Sequence, residues 1–212
     1  MSISLFSRNL TLGLSLASAL LLAVPAQAQF QSQGYKFLDA VKKHDGDTVE
    51  KMLSSSGSKS TPGDIIINAR DITTGDSALH MIIGQRDLKW LTYLVAKGAD
   101  VNIRNFQGTT PLWLAINTGF IDGATLLISQ GAQVNNPGPA GETPLIAAVH
   151  QRNLDLVKAL IRAGANPTRA DNSGRNAMDY AKLSNSSLIS TELEAAAKAA
   201  KAKAAKSYGP SF

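Results

Sequence analysis

Two apolar rhythms run along the chain. From Leu10 to Val24 apolar residues follow one another with only small and hydroxyl side chains between them. From Phe37 onward they come instead in short bursts at three- and four-residue spacing. Leu112, Ala115 and Ile116 form one burst, and Leu145, Ala148 and Val149 form another in the same register. Leu88, Leu91, Leu94 and Val95 form a second kind, matched by Leu154, Val157, Leu160 and Ile161. This spacing puts each set on one stripe of a helix and predicts pairs of short helices with one buried side. Phe37, Ala40, Val41, Val49, Met52 and Leu53 fit the same two-helix register.

Turn residues recur with the bursts. Gly75, Gly108, Gly141 and Gly174 are 33 residues apart, as are Gly98, Gly131 and Gly164, each of the latter followed by alanine. Ser77-Ala78-Leu79-His80, Thr110-Pro111-Leu112-Trp113 and Thr143-Pro144-Leu145-Ile146 share that period. Each part has a physical reason. A hydroxyl before the first turn caps a helix, and proline inside that turn loses no needed hydrogen bond. Glycine after the last turn accepts positive φ. Residues 99–108 read as a projecting hairpin loop.

A 33-residue period opening on a Thr-Pro-Leu-His-like motif resembles the ankyrin repeat family over about residues 35–195. The resemblance implies an all-α, ankyrin-repeat solenoid of about five helix-turn-helix units with projecting hairpin loops. The units fall at about 35–67, 75–107, 108–140, 141–173 and 174–195, within a domain spanning 29–195. Residues 196–212 form an Ala/Lys-rich basic tail.

The ends depart from the pattern, as solenoid ends do. Ala40 to Ile82 is 42 residues, and the nine extra ones fall in Ser54–Gly63, rich in Ser, Gly, Lys and Pro and expected to be a flexible surface loop. Asn176–Ala181 opens a closing unit whose second helix is polar enough to face solvent as a cap. Beyond Thr191 alanine and lysine favour extension of that helix, with residues 207–212 frayed. Arg86 and Arg152 stand where Gly119 links the helices of its unit, so their turns are expected to differ slightly. The hairpin at 135–139 lacks the usual aspartate and has two prolines, which puts its geometry in question.

The charge is unevenly placed. The total of +5 suggests a basic protein, but Lys198, Lys201, Lys203 and Lys206 lie in the last 15 residues. Gln29–Glu194 carries 16 bases and 16 acids. A nucleic-acid binder shows a basic face on the fold itself, so the composition argues against nucleic acid as a partner. The tail offers at most a weak, salt-sensitive contact with anionic surfaces.

Residues 1–28 read as a signal peptide: Arg8, the apolar run, then Ala26-Gln27-Ala28 before a cut at Gln29. The run is about 15 residues, short of the roughly 20 that cross a bilayer, so no transmembrane segment is expected after cleavage. No cysteine follows it for lipid attachment, and the chain holds none to mispair in an oxidising compartment. The short n-region and Ala-Gln-Ala site look bacterial and point to the periplasm, with secretion as the alternative.

Candidate chemistry is thin. His44, His80 and His150 are not paired at helical spacing, and no phosphate loop or nucleophile elbow occurs. No metal, cofactor or catalytic residue is assigned, and the chain reads as a non-catalytic protein rather than an enzyme. His80 holds the motif position, where the family histidine bonds locally. Trp90, Tyr93 and Trp113 are expected to pack in the core or between repeats. The resemblance implies an unidentified protein partner, periplasmic if the export reading holds, on the concave surface of loop tips and first-helix faces. The matching positions are Arg104, Phe106, Gln107, Thr109, Asn117, Thr118, Glu142, His150, Gln151, Asn172 and Arg175, with Phe106 and Arg104 as first choices for hot spots.

Overall fold

The computed structural model of the chain describes residues 26–56 and 66–207. Most of the expected signal peptide (1–25), most of the inserted stretch (57–65) and residues 208–212 lie outside the described residues. Ten α-helices follow one another: α1 (Ala26–Lys42), α2 (Gly46–Ser56), α3 (Ala78–Gln85), α4 (Leu88–Ala96), α5 (Pro111–Asn117), α6 (Ile121–Ser129), α7 (Pro144–His150), α8 (Leu154–Arg162), α9 (Ala177–Leu183) and α10 (Ser187–Ser207). A 3-10 turn spans Ile66–Asn68 and another Pro139–Gly141. No strand occurs among the described residues, only an isolated bridge between Arg70 and Ser77.

The helices stack in two layers. α1, α3, α5, α7 and α9 pack in succession as one layer, and α4, α6, α8 and α10 as the other. Helices of 7–9 residues are too short to hold in water alone, so each depends on its cap and on burial of its stripe. Thr110 and Thr143 Oγ1 accept from Trp113 and Ile146 N–H at 3.2 Å, and Pro111 and Pro144 fill the first helical position. Asp87 and Asn153 cap α4 and α8 in the same way, both at 3.0 Å. Small Ala115 and Ala148 are fully buried, which lets neighbouring first helices come close.

The turn inside every helix pair is left-handed: His44, Arg86, Gly119, Arg152 and Asn185 have φ of 57, 57, 69, 53 and 50°. The arginine turns therefore do not differ from the glycine turn, against the sequence expectation. The structure shows what offsets the strain. Arg86 Nη2 donates to Thr118 O, and Arg152 Nη2 donates to Ser184 O at 3.1 Å, each tying its turn to the end of the next first helix. Hydrogen bonds from charged donors contribute about as much as the roughly 1 kcal/mol that a left-handed residue costs.

Asparagines join the loop bases. Asn68, Asn102 and Asn135 Oδ1 accept from the N–H of Asp100, Gln133 and Asn166 at 2.8, 2.7 and 2.8 Å. The ladder places Asn68 in the first unit's equivalent of Asn102, on the far side of the insertion. Ser54–Ser56 are not loop: they lengthen α2, and Ser54 and Ser55 hydroxyls bond back to Lys51 and Met52 carbonyls at 3.0 Å.

The solenoid closes on a polar face. Lys182 is exposed at the position where Ile116 and Val149 are buried, so α9 presents charge outward. α10 runs to Ser207, carrying the Ala/Lys tail as helix.

Candidate functional site

Four loops project beyond the first-helix layer, and one backbone bond closes each tip. Asp71, Asn105, Gly138 and Asp171 N–H donate to the carbonyls of Asp76, Thr109, Glu142 and Arg175 at 2.9, 3.1, 2.9 and 2.9 Å. In three of the four, the side chain of the first residue also gathers backbone N–H groups. Asp71 Oδ1 accepts from Thr73 and Thr74, Asn105 Oδ1 from Gln107 and Thr109, and Asp171 Oδ1 from Ser173 and Arg175. The Thr74 and Thr73 amides hold the Asp71 carboxyl below its ordinary range.

The third tip has glycine instead, and its neighbour explains why. A Cβ at Gly138 would lie 2.4 Å from the Trp113 indole. Trp113 is buried against this finger, as expected for packing between repeats, and its Nε1 is left without a partner. The third finger keeps the closing bond, but its tip departs from the others as the sequence suggested: Pro139–Gly141 is a 3-10 turn with Ala140 left-handed at φ 57°, unlike its counterparts Gln107 and Ser173.

His80, at the equivalent place one unit earlier, is structural in a wider sense than its motif suggests. Its Nδ1 accepts from Ser77 N–H at 3.3 Å and lies 2.9 Å from Ser77 Oγ, while Nε2 donates to Thr109 O at 3.0 Å in the next unit. Burial lowers its pKa and keeps it neutral, the form this pattern requires.

Neighbouring fingers are joined at their tips. Phe106 N–H donates to Thr74 O and Asn172 N–H to Ala140 O, both at 3.0 Å. Pro139 occupies the matching place in the third finger and has no N–H, so a side chain makes the link. Arg104 Nη1 donates to Gly108 O at 2.9 Å and to Pro137 O at 3.3 Å. Arg104 is thus half-buried and engaged within the fold.

The Phe106 ring lies on the bare α-carbon of Gly75, where an added Cβ would sit 2.6 Å from the ring. Even so, 62% of Phe106 is exposed, and Ile72 in the preceding finger is 77% exposed. Together they make an apolar step at the tips of the first two fingers. Ile72 was not singled out from the sequence, although a signal existed. Asp71 to Gly75 is four residues, whereas Asn105 to Gly108 is three, so the first tip carries an extra residue.

The remaining candidates divide by exposure. Gln107, Asn117, His150, Gln151, Asn172 and Arg175 are exposed. Gln151 Nε2 reaches back to Ile116 O. Thr118 is half-buried, with Oγ1 bonded to Leu114 O at 2.9 Å. Thr109 is a correction: it is buried, its carbonyl holding His80, so its side chain is not part of an accessible surface.

The structure brings Glu142 and His150 together, with Oε1 and Nδ1 2.8 Å apart. The His150 ring meets Tyr180 edge-on at 4.5 Å, and Tyr180 OH donates to Asp171 Oδ2 at 2.6 Å. That hydroxyl, then Ser173, holds the Asp171 carboxyl well below the usual range. Two fingers and two first helices therefore share one polar chain on the finger side of the stack. Among the described residues no three His, Asp or Glu side chains are grouped to hold a metal ion, and no helix is long and apolar enough to cross a membrane.

Comparison with known proteins agrees with this geometry. Residues 37–138 match the family model described as ankyrin repeats (3 copies), and residues 127–181 match ankyrin repeats (many copies). A stretch of 63 residues, 28% of the chain, is 36% identical to the potassium channel AKT1 of Arabidopsis thaliana, of whose length it covers 7%. Repeats of this kind are protein–protein interaction modules and are typically non-catalytic. Helix pairs in register, four fingers closed by one bond and matching repeat models along 37–181 lead to one conclusion: the chain belongs to the ankyrin repeat family.

Proposed function

We propose that the chain is an exported, non-catalytic scaffold that captures a protein partner on its concave surface of finger tips and first-helix faces, in the periplasm. Secretion to the medium is the alternative destination. The observation that carries the binding surface is the exposed Phe106–Ile72 step, with Phe106 pinned through its N–H and seated on Gly75. A pre-ordered aromatic anchor loses little freedom on binding, which is what makes such residues hot spots. Gln107, Asn117, His150, Gln151, Asn172 and Arg175 supply the polar surround. Export rests on the apolar run and the Ala-Gln-Ala site in residues 1–28.

A photoreactive residue at position 106, irradiated in cells of the source and followed by mass spectrometry, identifies the partner. Phe106→Ala and Ile72→Ala are each expected to lower its capture roughly tenfold or more, with the helical circular dichroism melt unchanged. Capture that survives both substitutions removes the finger tips from the interface. Fractionation of the same cells tests the compartment.

A second reading concerns the tail, because α10 continues to Ser207 with Lys198 and Lys201 exposed. Truncation after Ala195 that abolishes binding to anionic vesicles while sparing partner capture assigns the tail a separate role at acidic surfaces.

A further inference from the structure

In the second-helix layer, on the side away from the fingers, the first unit lacks the aliphatic side chain that opens the second helix of the next three units. Leu88, Ile121 and Leu154 are the first residues of α4, α6 and α8, and Ile121 and Leu154 pack half-buried against the core. α2 opens instead on Gly46, and a Cβ built there meets nothing within 4 Å. The vacant space is part of a groove of about 380 Å³ between α2 and α4, lined by Gly46, Glu50, Lys89, Trp90 and Tyr93.

The groove is built of aromatic walls held in place. The Trp90 ring meets His44 edge-on at 5.3 Å and Tyr93 at 5.5 Å. Tyr93 OH donates to Glu50 Oε2 at 2.6 Å, and Lys97 Nζ donates to Glu50 Oε1 at 2.9 Å. Burial, then the Glu50 carboxylate, pushes the Tyr93 hydroxyl up to about 12. Trp90 and Tyr93 thus make the contacts between units expected of them, yet leave this surface uncovered. Lys89 on the rim makes no salt bridge among the described residues.

Two features define what fits. The next three units carry leucine or isoleucine at the matching position and the fifth carries Ser187, so the open space beside Gly46 suits a branched aliphatic side chain. The Glu50 charge is already met by Lys97, while the Lys89 ammonium is unmatched and complements an anion. We propose that the α2–α4 groove is a second binding site, independent of the finger surface, for a leucine or isoleucine side chain carried beside a carboxylate on a partner polypeptide.

The test uses the indole N–H resonances of Trp90 and Trp113 in the full mature chain, with N-acetyl-L-leucine, N-acetyl-L-leucinamide and N-acetylglycine as probes. N-acetyl-L-leucine is expected to shift Trp90 saturably with a millimolar Kd, the scale set by one aliphatic side chain and one screened charge. Leucinamide binds more weakly, N-acetylglycine causes no shift, and Trp113 does not respond. Lys89→Gln removes the preference for the acid over the amide. Gly46→Leu fills the groove from within, abolishes the shift and raises the melting temperature by a few degrees. A Trp90 resonance indifferent to N-acetyl-L-leucine overturns the proposal. So does a shift that persists in Gly46→Leu, or a Gly46→Leu protein that melts below the parent because the space is already filled.

Discussion

The four finger glycines offer a comparison in which one backbone conformation meets four different surroundings. Gly75, Gly108, Gly141 and Gly174 have φ of 74, 75, 75 and 80°. Alanine at any of them carries the left-handed cost of roughly 1–2 kcal/mol, offset in part by about 0.4–1 kcal/mol from the reduced freedom of the unfolded chain. At Gly174 nothing lies within 4 Å of the added Cβ, and at Gly108 only an Arg104 nitrogen at 4.0 Å. Those two variants should lose about 1 kcal/mol, or roughly 2–4 °C of thermal midpoint for a chain of this size. At Gly75 the Cβ meets the Phe106 ring at 2.6 Å and the Phe106 backbone nitrogen at 2.7 Å. The ring can swing away, but the nitrogen is fixed by its bond to Thr74 O. Overpacking of this kind adds about 1–3 kcal/mol, so Gly75→Ala should lose roughly 2–4 kcal/mol in all. Gly141→Ala falls between, because the end of the Asn172 side chain at 2.4 Å can rotate while the Asn172 backbone nitrogen stands off at 3.0 Å. Urea and thermal melts followed by circular dichroism at 222 nm give the ranking. Equal losses at Gly75 and Gly108 would refute both the seating of Phe106 on Gly75 and the rigidity attributed to that anchor.

Two further predictions follow from the same units. Because burial lowers the His80 pKa below its ordinary 6.5, the unfolded chain takes up the proton first as pH falls. This contribution to stability is complete above pH 6.5 and declines below it until the folded value is reached, by at most about 1.4 kcal/mol per pH unit. Melts at pH 7.5 and pH 5 should therefore diverge more in the parent than in His80→Gln, and equal divergence rules His80 out as the cause. Gly138→Ala should cost about 1–3 kcal/mol in the parent and little in a Trp113→Ala background, since the three atoms nearest the added Cβ all belong to the indole and φ is an ordinary negative value. A double-mutant cycle without a coupling of at least about 1 kcal/mol would show that the indole does not exclude a side chain there.

The amino-acid order by itself determined the helix pairs, their 33-residue period, their caps and the family, because each depends on residues within one or two helical turns. Thr143 before Pro144, or glycine at 164, carries its conformational preference wherever the chain goes. It also marked out the finger and first-helix positions proposed here as the binding face, since they recur with the period. What it did not determine depends on contacts between residues about 30 or more apart. Arg86 and Arg152 keep the glycine-like turn because their guanidinium groups reach Thr118 and Ser184 one unit on. Thr109 is buried because His80, 29 residues earlier, bonds to its carbonyl. Arg104 is drawn into the fold because its guanidinium reaches the Pro137 carbonyl in the next finger. The Glu142–His150–Tyr180–Asp171 chain and the groove at Gly46 arise where neighbouring units meet. Local preferences fix each unit; only stacking decides which of its side chains are left for a partner.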